Sequence, residues 1–138
     1  MREELSIYFE NPATDALGHE IVEGKLVCDR DGVTLRFKLK DRAFRKNESV
    51  TLQFSYTEVE SLHYTSRFFG PKILTFRTRG TDKLNEFPGA DVGKVILHVI
   101  KDSRSEAEKA ADFVEYRQSE AWLAEQDERL SESRKNSL

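Results

Sequence analysis

A chain of 138 residues, 38% hydrophobic and 34% charged, is expected to form one globular domain with a real core. No apolar run approaches the ~20 residues of a membrane span, and the start MREELSIYFE has no signal-peptide core, so the expectation is a cytoplasmic protein without a transmembrane segment. Cys28 is the one cysteine, which excludes an intrachain disulfide. The net charge of −3 conceals a segregation: residues 1–31 carry eight acids against three bases, 32–101 seven against thirteen, and 102–138 ten against six. A basic middle between acidic ends is either a solvated surface or a face for an anionic partner.

Leu5, Ile7 and Phe9 alternate as in a strand until Asn11-Pro12 interrupts them. The apolar stretch Ile21 to Cys28 contains Gly24, which predicts a bent or bulged strand. Asp31-Gly32 then separates two strand-like runs, the strongest hairpin signal in the chain. In Val33 to Lys40 the residues Val33, Leu35, Phe37 and Leu39 face one way and Thr34, Arg36, Lys38 and Lys40 the other. After a charged loop from Asp41 to Ser49, Val50, Leu52, Phe54 and Tyr56 form the cleanest amphipathic strand. The pattern resumes at Val59, Leu62 and Tyr64 through Phe68, turns at Gly70-Pro71, and continues from Ile73 to Arg79 with Leu74 and Phe76 inward. A short strand is expected around Leu84 to Phe87, and a strand buried on both faces from Val95 to Ile100.

From Arg104 the period changes to that of a helix. Ser103 and Ser105 each precede a glutamate by three, as in a capping box, and Ala107, Ala110, Ala111, Val114 and Ala121 share one stripe flanked by Phe113 and Trp122. The pattern fades after Leu130, leaving Ser131 to Leu138 as a flexible polar tail. A helix over 104–130 would measure ~40 Å, whereas a core of this size is roughly 35 Å across. Its last two or three turns are therefore expected to overhang, with Trp122, Leu123 and Leu130 on the overhang, either docked on a second chain, folded back onto the N-terminal segment or simply exposed. Strands followed by a single helix describe an α+β fold, with the domain spanning 1–130.

The stretch Gly24 to Asp112 resembles the pleckstrin-homology-like superfold, in the manner of a bacterial PH or GRAM-type module. The likeness rests on the strand pair around Asp31-Gly32, the bridge from Phe54 to Leu62 (FSYTEVESL), the Leu74-Thr75-Phe76 strand and the helix after Lys101. It implies an antiparallel, partly open barrel of about seven strands capped by one long C-terminal helix. It also implies a non-enzymatic platform for protein, peptide or phospholipid partners. The chain departs from the lipid-binding subset at the first hairpin loop, where that subset is basic and this chain has Asp29-Arg30-Asp31-Gly32.

The residues carry no catalytic signature. His19, His63, His98 and Cys28 lie on separate elements, there is no GxSxG elbow, and the seven glycines form neither a dinucleotide fingerprint nor a phosphate loop, so no enzyme, metal or cofactor is expected. Two surfaces remain as candidates. Arg36, Lys38, Lys40, Arg42, Arg45 and Lys46 place six positive charges in eleven residues, suited to an anionic ligand or an anionic lipid surface and extended by Arg67, Lys72, Arg77 and Arg79 if their strand is a neighbour. Trp122, Leu123 and Leu130 suit a protein partner or self-association. Nucleic acid is disfavoured, because the chain is acidic overall and the outward positions of the Leu52 and Leu74 strands hold Thr, Gln and Arg rather than aromatics. A helix-grip small-ligand carrier is the third reading, although that class usually places helices where the Asp31-Gly32 hairpin stands.

Overall fold

The structure, a computed structural model, describes residues 4–12, 20–41, 49–80 and 82–136. Among these described residues seven strands precede one long helix: β1 Leu5–Asn11, β2 Glu20–Cys28, β3 Val33–Asp41, β4 Val50–Phe54, β5 Val59–Thr65, β6 Ile73–Thr78, β7 Lys94–His98 and α1 Arg104–Asn136. They form two antiparallel sheets, β1-β2-β3-β4 and β5-β6-β7, so the fold is α+β with a barrel left partly open. Each strand contributes alternate apolar residues to one shared core, including Leu5, Ile7 and Phe9 from β1, Leu35 and Phe37 from β3, and Leu74 and Phe76 from β6. At 25 cal/mol per Å² of buried apolar surface, each such side chain contributes roughly 1.5–3 kcal/mol.

The two gaps between sheets are closed differently. Between β7 and β1, Phe9 and Val99 form a single bridge, and Ile100 N–H donates to the Tyr8 carbonyl at 3.1 Å. Beyond them the Asn11 amide substitutes for backbone: its Nδ2 donates to Ile96 O at 2.8 Å and its Oδ1 accepts from His98 N at 2.8 Å. The Ser103 hydroxyl accepts from Tyr8 N at 2.9 Å, tying the start of the helix to the same strand. On the other side, the turn after β4 is held by Glu58 N–H to Ser55 O at 3.0 Å and by Ser55 N–H to Glu58 Oε1 at 3.1 Å. Lys83 donates to Gln53 O at 2.7 Å and to Glu58 Oε2 at 2.9 Å, covering this gap.

Several expected elements take a different form. Leu84 to Phe87 is no strand but a 3-10 turn, Leu84–Glu86, whose three-residue repeat turns both Leu84 and Phe87 into the core. Phe87 packs on Phe9 and Phe37 at ring distances of 5.9 and 4.8 Å, plugging the barrel. β7 is buried on one face only: Ile96 is 42% exposed and His98 half-buried, because the helix lies over β5 and β1 instead. β2 has no bulge; its registers with β1 and β3 are unbroken. Gly24 is there because a Cβ would stand 1.9 Å from the Arg36 carbonyl oxygen. The bulge falls in β5, between Val59 and Ser61, and lets Val59 and Leu62 both face inward at a spacing of three. β4 ends at Phe54 and β5 at Thr65, so Tyr56 lies in a turn and Phe68 in a loop. The helix continues past Leu130 to Asn136, a length of ~50 Å at 1.5 Å per residue for its 33 residues.

Candidate functional site

The long helix has two unlike halves. Ala107, Ala110, Phe113 and Val114 are buried against the sheets, and small alanines permit that close approach. Gln118 then makes the last inward bonds, its Nε2 donating to Val59 O at 2.7 Å and Tyr56 O at 3.3 Å. Beyond it Trp122, Leu123 and Leu130 are 60%, 56% and 57% exposed. Tyr116, also exposed, was not singled out by the apolar stripe; it precedes Leu123 and Leu130 by steps of seven residues, two helical turns each, and shares their side of α1. A concavity of about 530 Å³ beside Glu115, Ser119, Trp122 and Leu123 opens on this surface.

A groove of about 780 Å³ separates the other side of the same segment from the turns at Arg30-Asp31 and Ser55–Thr57. Arg117 borders it, with a side chain nine-tenths buried and a guanidinium 2.9 Å from Glu120 and over Phe113 and Tyr116 at 5.2 and 5.7 Å. The Tyr56 hydroxyl donates to the Asp29 carbonyl, and burial, with the Cys28 thiol and Asp29 nearby, pushes this phenol above its ordinary range. Burial likewise pushes the Cys28 thiol up to about 12, so it stays protonated and unreactive.

The basic candidates are brought together in part. Arg36 and Lys38 both point outward from β3 and border a concavity of about 370 Å³ on the outer face of the first sheet. Lys38 pairs with Glu23 at 3.3 Å. Lys40 lies on β3 opposite Ile21, while Arg42, Arg45 and Lys46 fall outside the described residues. The expected extension by Arg67, Lys72, Arg77 and Arg79 does not occur: β6 belongs to the other sheet and does not neighbour β3. In their place the register adds Lys25 and Tyr8, which align with Arg36 across β2 and β1, with the Lys25 ammonium 6.0 Å from the Tyr8 ring. Outward alternation in β1 and β2 signalled both residues; only the pairing register joins them to Arg36.

Among the described residues no group of three or more His, Cys, Asp or Glu is placed to hold a metal ion, and no helix is long and apolar enough to cross a membrane. Comparison with family models, curated proteins and solved structures finds no match to the chain.

Proposed function

We propose that this chain is a non-enzymatic, PH-like binding module that associates with a protein partner, in the first instance a second copy of itself, through the projecting half of α1. One observation carries the reading: Trp122, Leu123 and Leu130, large apolar side chains, stand more than half exposed on the part of α1 that begins where its last core-packed residue, Ala121, leaves off. An acidic, charged helix retains such residues at a cost in solubility, and covering them recovers it. The direct packing of Ala107, Ala110 and Val114 on the core favours action through surfaces over a small-ligand cavity beneath the helix. Sedimentation equilibrium of the full chain is expected to show association that Trp122→Glu with Leu130→Glu removes. A wild-type chain that stays monomeric at every concentration sinks the reading.

A second reading is recognition of a small anionic ligand on the outer face of the first sheet. Its support is the concavity that gathers Lys25, Arg36 and Lys38 beside an exposed tyrosine. Inorganic phosphate titrated into the protein should then shift the amide resonances of Lys25, Arg36 and Lys38. Shifts that persist unchanged in Arg36→Ser would count against it.

A further inference from the structure

The β5–β6 hairpin carries the most exposed aromatic pair among the described residues. Phe68 is 92% and Phe69 83% exposed, at the tip of the loop that joins Thr65 to Ile73. Their rings meet edge to face, 4.8 Å apart at 85°, and so form one apolar knob. Gly70, at φ +97°, supplies a backbone conformation that a side chain would resist, and the ring of Pro71 fixes that residue's own φ. The Lys72 ammonium donates to the Arg67 carbonyl across the base of the loop, which cinches it. The knob is thus presented by a shaped turn with a cation on each side.

Charge identifies the partner. Residues 61–80 contain four bases, Arg67, Lys72, Arg77 and Arg79, and no acid, in a chain with 25 acids in all. Next to the loop base, Val99 N–H donates to Lys72 O at 2.9 Å, so the segment with half-exposed Ile100, Lys101 and Arg104 emerges beside it, opposed there by Asp102. Anchors for protein partners normally sit inside a patch whose rim packs and excludes water. Here the rim is cationic and the knob protrudes. That shape suits the soft boundary between lipid headgroups and acyl chains, where aromatic rings partition and bases meet anionic headgroups.

We propose that Phe68 and Phe69, flanked by Arg67 and Lys72, form a peripheral anchor that inserts into an anionic lipid surface. This surface is separate from the projecting helix and from the concavity at Arg36. With a net charge of −3, the chain has no general attraction to such a surface, so the anchor's own cations provide the local attraction.

The test is co-sedimentation of the full chain with phosphatidylcholine vesicles, with and without phosphatidylserine. Binding is expected only with phosphatidylserine. Phe68→Ser with Phe69→Ser should weaken it by about tenfold or more, and Arg67→Ser and Lys72→Ser by about fivefold each, while Arg36→Ser with Lys38→Ser leaves it unchanged. A Phe69→Trp reporter in a Trp122→Phe background should shift its emission to the blue when the vesicles are added. All these positions are exposed or at the loop base, so an unchanged thermal midpoint certifies each variant. No binding to phosphatidylserine vesicles at millimolar lipid overturns the proposal, as does binding indifferent to the phenylalanines or lost only with Arg36 and Lys38. Concentration-dependent association of the chain that disappears in the Phe68→Ser, Phe69→Ser variant, without vesicle binding, would assign the tip to a protein contact and overturn it equally.

Discussion

The first and second halves of α1 are helical for different reasons. Up to Gln118 the helix is held by burial: Ala107 and Ala110 touch the sheets and Gln118 bonds two carbonyls of the turn and strand beneath. After Gln118 only the partly buried Ala121 still packs on the core among the described residues, and the rest of the helix relies on residues with high intrinsic propensity and on pairs such as Glu125–Arg129 at 2.9 Å, each worth about 0.3–0.5 kcal/mol. The difference teaches where conservation of fold ends and freedom for contact begins. Side chains such as Ala107 and Ala110 in the first half are constrained by packing, whereas Trp122, Leu123 and Leu130 are more than half exposed.

A substitution series along α1 would break this comparison if it is wrong. Ala110→Asp places a charge in a fully buried, closely packed position and should cost about 4 kcal/mol or more, enough to unfold the chain. Gln118→Ala removes two bonds to backbone carbonyls and should cost about 1–2 kcal/mol. Leu123→Asp should stay within about 0.5 kcal/mol at dilute protein, since that side chain already faces water. Urea unfolding of the three variants measures all of this. A loss for Leu123→Asp that grows with protein concentration would report lost association rather than lost folding. A loss independent of concentration and comparable to that of Ala110→Asp would mean that the second half is packed after all.

The same division decides what the sequence made legible. Period-two alternation placed Val33, Leu35 and Phe37 inward and Arg36 and Lys38 outward, because that pattern needs only the strand itself. The strand-then-helix order likewise gave the α+β architecture. What stayed hidden depends on partners distant in the chain. The need for glycine at 24 arises from the Arg36 carbonyl across the β2–β3 pairing, and the grouping of Tyr8 and Lys25 with Arg36 from two registers at once. Leu84 and Phe87, three apart, already fit a 3-10 turn better than a strand, whose inward residues are spaced by two. The run at Val95–Ile100 looked doubly buried because composition cannot say which side of a sheet a helix covers. Phe68 reads as the end of a strand, since exposure at a hairpin tip has no local signature.

A finer test concerns the seat on which the first half of α1 rests. Gln118 bonds Tyr56 O, and Tyr56 lies in the turn that Glu58 closes by accepting from Ser55 N–H and from Lys83. The hydrogen bond from Lys83, followed by that from the Ser55 backbone, holds the Glu58 carboxyl below its ordinary value of 4.5. The folded state therefore favours the carboxylate. Its stabilisation is fully present above that ordinary value and is lost as pH falls through it toward the lower folded one, because the unfolded chain takes up the proton first. Both partners are substantially exposed, so the pair should contribute no more than about 0.5 kcal/mol. Glu58→Gln should lower the urea midpoint slightly at neutral pH and flatten its decline below about pH 5. Glu120, on the far side of Gln118, also sits below its ordinary range, through hydrogen bonds from Tyr116 and then Arg117, yet it supports no such seat. Measured side by side, Glu58→Gln should weaken the protection of the Gln118 region against amide exchange and Glu120→Gln should not. Equal loosening by both would place the boundary between the two halves further along the helix, within the segment that carries Trp122.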